Sequence, residues 1–189
     1  KYNKGVGASV KNGIQTTLEI SADIIIKIDS DGQMDPQLIP TLIQPIVDNV
    51  SDVVKGNRFN DPSVRLKMPF IRFIGNLFLG FITKLSTGYW ELFDPTNGFI
   101  AFRSEVLNEI SLAKVDDGYF FETDLLFRCS LSNILISEIA MEAVYASEKS
   151  SLNPLKEFFR FFYKHINIFF KRLTYQYFLL DFNPGSLSL

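Results

Sequence analysis

Cysteine and histidine are almost absent from this chain, and each scarcity closes off a class of function. The single cysteine, Cys129, excludes an internal disulfide framework and any cysteine-based metal cluster, and reads as a small core residue in a reducing compartment. The single histidine, His165, rules out multi-histidine metal sites within the chain and argues against a Ser-His-Asp triad. Neither sign of charge dominates: 19 basic residues face 21 acidic ones, so no bulk attraction to nucleic acid is implied. Long apolar runs are missing too. The longest uncharged stretches, 36–47 and 73–83, fall well short of the roughly 18 residues of a spanning helix. Also absent are an initiator methionine and a signal peptide, and the opening Lys1-Tyr2-Asn3-Lys4-Gly5 reads as the middle of a protein. What is abundant is phenylalanine, with 19 copies, many of them late in a chain whose 189 residues suit one α/β domain.

Residues 22–28 are short, apolar and β-branched, and predict a buried strand of a parallel sheet. Two carboxylates one residue apart, a glycine and an amide follow at once, in Asp29-Ser30-Asp31-Gly32-Gln33. Open α/β sheets bind ligands beyond the carboxyl ends of their strands. Hard oxygen ligands there suit a Mg²⁺ or Mn²⁺ that also holds phosphate oxygens. The same residues are equally compatible with an ordinary Asp/Gly turn.

Around this motif the pattern predicts a helix over 10–21, an amphipathic helix over 36–49 with Asp35 as its N-cap, and a second strand over 52–56. That α-β-α-β order indicates a doubly wound, mostly parallel sheet flanked by helices, with its first strand or strands missing. A helix from Pro69 onward carries Phe70, Phe73, Ile74, Leu77, Phe78, Phe81, Ile82 and Leu85 as one broad stripe. The turn Asp94-Pro95-Thr96-Asn97-Gly98 precedes a strand over 99–102, and a short helix capped by Ser104 comes next. A further helix starts near Phe120 with Glu122 and Asp124, and residues 134–145 read as a strand.

The last segment differs in character. Leu155, Phe158, Phe159, Phe162, Ile166, Phe169, Phe170 and Leu173 recur at helical spacing, opposite Lys156, Arg160, Lys164, Asn167 and Lys171. Between residues 151 and 183 five Lys/Arg face two acids, net +3. A basic helix with a Phe-rich face fits an interfacial membrane helix over 155–182; the alternative is a terminal helix packed on the core. Residues 1–151 and 152–189 thus separate into a partial α/β domain and an amphipathic juxtamembrane segment.

Four pieces together resemble the family 2 glycosyltransferases of GT-A fold, in particular the polyprenyl-phosphate glycosyltransferases. They are Asn3-Lys4-Gly5-Val6-Gly7-Ala8, Ile28-Asp29-Ser30-Asp31-Gly32-Gln33-Met34-Asp35-Pro36, Gly56-Asn57-Arg58-Phe59 and Asp94-Pro95-Thr96-Asn97-Gly98-Phe99. Asn97 and Ile100 depart from the commoner Ser and Arg of that last motif, and the family's base-binding first strand has no counterpart, so the chain resembles an N-terminally truncated member that does not turn over alone. The resemblance implies a Rossmann-like GT-A fold and a nucleotide-sugar donor. It implies a divalent cation (Mg²⁺ or Mn²⁺) on Asp31 and Gln33, with Asp29 on metal or nucleotide. Arg58, Arg72, Asn76 and Lys149 would contact phosphate, whose oxygens match guanidinium forks. Asp94 and the Glu122/Asp124 pair are the acceptor-side carboxylates, with Asp94 and Asp124 the catalytic candidates; their alternatives are a turn cap and a solvated helix N-terminus. The implied acceptor is a polyprenyl phosphate at the cytoplasmic face of a membrane. A sugar hydroxyl on a growing glycan, which would require a general base, and a non-catalytic membrane-peripheral domain are the other readings.

Overall fold

Apolar side chains alternate along the strands, and that alternation decides the layers. The computed structural model describes residues 4–60, 70–142 and 154–180, and the side chains of all of these but 71, 72, 154–158 and 178–180. Strands β1 (Ile24–Lys27), β2 (Val53–Asn57), β3 (Ile100–Arg103) and β4 (Ile136–Ala140) form one sheet in the order β1-β3-β2-β4. Successive side chains point to opposite faces. Ile25, Val53, Ile100 and Phe102 join one core with helices α1 (Val6–Glu19), α4 (Ser104–Glu109) and α5 (Phe121–Leu131). Val54, Phe99 and Ala101 join the other with Leu42 and Ile46 of α2 (Ile39–Val47). Leu42 is fully buried, so Leu42→Ala would cost about 2–5 kcal/mol.

The sheet is mixed. β1, β2 and β4 run in one direction, but β3 lies antiparallel between β1 and β2, with Lys27 and Lys55 both opposite Ile100. Periodicity carries no information on strand direction. The chain leaves β2 and re-enters β3 at the same edge, which forces the reversal. Among the described residues β1 ends the sheet, and Ile25 is its buried residue. Asp35 is the expected cap: its Oδ1 accepts from the Gln37 N–H at 2.9 Å. Ser104 is not, because its hydroxyl donates to the Ala22 carbonyl across the strand end and leaves the helix without a side-chain cap.

Helices α3 (Phe70–Thr87) and α6 (Pro154–Thr174) pack on one another and on α5. α3 is inverted relative to a water-soluble helix. It buries Thr83, Ser86 and Thr87, whose hydroxyls return to helix carbonyls, and leaves Phe70, Ile74, Leu77, Phe78, Phe81 and Leu85 exposed. The stripe predicted from the sequence exists, but it faces outward. α6 has three faces rather than two. His165 and Ile168 are buried against α3 and α5, Phe159, Phe162, Tyr163, Ile166 and Phe170 are exposed, and the basic residues lie between. Lys164 is not a free surface charge, since it pairs with Asp116. No helix among the described residues is long and apolar enough to cross a membrane.

Candidate active site

The reversed strand is what assembles a site. It brings the start of β3 to the edge where β1, β2 and β4 end. Asp29, Asp31 and Gln33 after β1, Arg58 after β2, the 96–98 turn before β3 and Glu122 of α5 line a pocket of about 130 Å³ there. An open cleft of about 560 Å³ adjoins it, along Asp29, Gly32, Met34 and Pro36. Gly32, directly after the second carboxylate, has φ +73°, a left-handed conformation that favours glycine. Asp31 Oδ1 accepts from the Gln33 N–H at 3.0 Å, an Asx turn that fixes the loop.

Behind the pocket lies a buried polar layer. Asp94 is fully buried and takes Arg58 bidentately, from Nε at 2.7 Å and Nη2 at 2.9 Å. The Asp94 turn closes through Asn97 N–H to the Asp94 carbonyl at 3.1 Å. Glu138 of β4 accepts from the Phe93 and Asp94 N–H groups at 2.9 and 2.7 Å and from Asn57 Nδ2 at 2.8 Å. Burial pushes the Glu138 pKa up against those backbone bonds. Lys55, on the central strand β2, donates to the Asn97 carbonyl; burial lowers its pKa although Glu122 and Asp94 pull the other way.

Lys27 forms the floor between two of the pocket carboxylates. Its Nζ stands 2.9 Å from Asp29 Oδ1 and 2.7 Å from Glu122 Oε1, and 5.4 Å from the centre of the Phe121 ring. Burial depresses its pKa, and Glu122 and Asp29 more than reverse this, leaving it raised. Gly98 makes room for the group. A Cβ there would lie 2.6 Å from Asp29 Oδ2 and 2.9 Å from Glu122 Oε1.

The expected site residues do not all converge. Asp29, Asp31, Gln33 and Arg58 line the pocket; Asp94 sits behind it, holding Arg58. Asp124 points elsewhere. It accepts from the Asp116 N–H at 2.9 Å and lies 3.4 Å from Arg128, whereas Glu122, two residues earlier and 200° around the helix, faces the pocket. Asn76 is on α3 and is not among the pocket's lining residues. Lys149 and the side chain of Arg72 lie outside the described residues. Lys27, Lys55 and Glu138 were missed by the motif reading; a lysine inside an apolar strand run, at both 27 and 55, was the available signal.

Among the described residues no three His, Cys, Asp or Glu side chains are grouped to hold a metal. Two carboxylates and an amide fit a Mg²⁺ or Mn²⁺ whose remaining ligands are water and phosphate oxygens. Asp29, Asp31 and Gln33 are the residues that would hold it.

A mixed sheet between helices, with acidic residues at the strand ends, defines a GT-A-like α/β domain. A family model described as glycosyl transferase family 2 matches residues 1–111, and the chain belongs to that family. It is 33% identical over 145 residues to a UDP-N-acetylglucosamine--dolichyl-phosphate N-acetylglucosaminyltransferase of Methanococcus voltae, covering 77% of this chain and 57% of that protein. It is 27% identical over 145 residues to an undecaprenyl-phosphate mannosyltransferase of Micrococcus luteus, covering 74% and 57%. The chain therefore spans a little over half the length of these relatives. In fold it is similar to glucosyl-3-phosphoglycerate synthase from Mycobacterium tuberculosis, solved with Mn²⁺, uridine diphosphate and phosphoglyceric acid (TM-score 0.62, 20% identity, 89% of this chain and 54% of that one).

Proposed function

We propose that the protein to which this chain belongs transfers a sugar from a nucleoside diphosphate donor to a polyprenyl phosphate at the cytoplasmic face of a membrane. The observation that carries the reading is the convergence of Asp29, Asp31 and Gln33 with Arg58 on one pocket at the strand ends. In the reaction an acceptor phosphate oxygen bonds to the anomeric carbon. The bond from that carbon to the donor diphosphate breaks, and the nucleoside diphosphate leaves with the electron pair. A divalent cation, when bound, supplies positive charge to the leaving diphosphate. Arg58, oriented by Asp94, adds a fixed charge beside it. Asp94 acts through Arg58 and is a positioning residue. The acceptor phosphate is already anionic, so no strong base is needed, and Glu122 is left to orient sugar or acceptor at the pocket wall.

The membrane part of the reading is supported by the polarity of two helices. α3 turns its hydroxyls inward and an apolar stripe outward, and α6 does the same with its aromatic stripe. Such faces suit an interface helix lying in the headgroup region. Lys171, exposed on α6, provides charge for anionic lipid, while Lys164 serves to dock α6 on the Asp116 loop. The buried, lone thiol of Cys129 fits a reducing side.

The test is transfer of radiolabel from a panel of nucleotide sugars by the full-length protein in the presence of a polyprenyl phosphate. Label in the organic phase, released by mild acid, supports the reading. Label confined to water-soluble glycan overturns the acceptor and favours a hydroxyl acceptor with Glu122 as general base.

A further inference from the structure

We propose that Lys27 is a resident cation that occupies the space between Asp29 and Glu122 and makes divalent-ion binding depend on the donor's diphosphate. The inference rests on the donor-site reading above and concerns how that site is controlled. Three observations carry it. The Lys27 ammonium stands 2.9 and 3.1 Å from the two oxygens of Asp29 and 2.7 Å from Glu122 Oε1, so a cation that belongs to the protein offsets half the charge of this carboxylate pair. The Lys27 side chain is only 12% exposed and Glu122 only 22%, so that contact is shielded from water, while Asp29 is the more solvated partner. The group is also fixed in place, against the Phe121 ring on one side and beneath Gly98, where any Cβ would collide with both carboxylates.

The consequence follows from counting charge. Asp29, Asp31 and Glu122 all line the pocket, so without Lys27 its wall would carry three carboxylates with no resident cation between them. With Lys27 present, Asp31 is the one pocket carboxylate of the three outside the bridge. A divalent ion then gains enough ligands only when phosphate oxygens arrive with it, the usual arrangement for Mg²⁺. Lys27 also keeps Asp29 and Glu122 from being drawn onto one ion, leaving the first on the donor side and the second at the pocket wall.

The test is Mn²⁺ binding to the whole chain without nucleotide, read from the loss of the free-ion signal in electron paramagnetic resonance. Lys27→Gln, which removes the charge and keeps a hydrogen-bond donor, is expected to tighten Mn²⁺ binding by roughly tenfold or more. Lys27→Arg is expected to bind as the parent does. Unchanged or weaker binding in Lys27→Gln overturns the proposal. Should that variant not fold, as judged by circular dichroism, Glu122→Gln decides. Lys27 then bears wholly on Asp29, and binding of Mn²⁺ with inorganic pyrophosphate falls several-fold; no change overturns the proposal. A parent chain that fails to bind Mn²⁺ with pyrophosphate would count against the donor-site reading, while the gain in Lys27→Gln still decides the role of Lys27.

Discussion

Arg58 holds the carboxylate of Asp94 through two parallel bonds, at 2.7 and 2.9 Å, with Asp94 wholly out of water and Arg58 at the pocket edge. Removing one partner of a buried pair leaves the other uncompensated. Asp94→Asn should therefore cost about 3 kcal/mol in urea unfolding, toward the lower end for buried pairs because Arg58 is partly solvated. Arg58→Lys, which cannot restore the fork, should lose nucleoside diphosphate affinity as well. Wild-type stability in Asp94→Asn would contradict this account of the pair.

Glu122 and Asp124 separate by direction alone. Asp124→Ala strips the Asp116 N–H of its acceptor and should destabilise by roughly 2 kcal/mol while leaving nucleoside diphosphate binding intact. Thermal melts and a titration on the same variant check both halves. Loss of binding at unchanged stability would return Asp124 to the site.

How much of this was legible in the sequence depends on the range of the interaction. Local features came through: the β1 motif with its two carboxylates at a strand end, the Asp35 cap and the 94–97 turn. The placement of β3 between β1 and β2 did not, because it depends on where a long excursion returns. The inward Thr83, Ser86 and Thr87 of α3 were equally hidden, since periodicity finds an apolar stripe but not the side it faces. Lys27 escaped notice because its meaning comes from Glu122, 95 residues away.

The outward stripes of α3 and α6 predict vesicle binding. Phe81 and Phe170 are more than half exposed, so Phe81→Glu with Phe170→Glu should leave the melting temperature nearly unchanged. Each phenylalanine lost from an apolar phase is worth about 2 kcal/mol. Flotation with mixed phosphatidylcholine and phosphatidylglycerol vesicles should accordingly fall about a hundredfold or more in the double variant. Undiminished flotation would remove these helices from the interface.

His165 links acidity to the packing of α6. It is buried, with Nδ1 2.8 Å from Ser86 Oγ and its ring edge-on to Phe120 at 5.0 Å, and burial lowers its pKa to about 4. The unfolded chain, near the ordinary value of 6.5, takes up the proton first. Stability from this group is therefore complete above about pH 6.5 and declines as pH falls toward 4. At pH 5 the loss should be roughly 2 kcal/mol. Urea midpoints of His165→Gln should show a flatter dependence over that window than those of the parent.

The central claim, that the end of β1 is a metal-diphosphate site, is tested most directly by calorimetric titration of the full-length protein with nucleoside diphosphates in Mn²⁺. Binding should weaken at least roughly tenfold when the metal is chelated, and by a similar factor in Asp31→Asn. Affinity that neither chelation nor Asp31→Asn alters would contradict it.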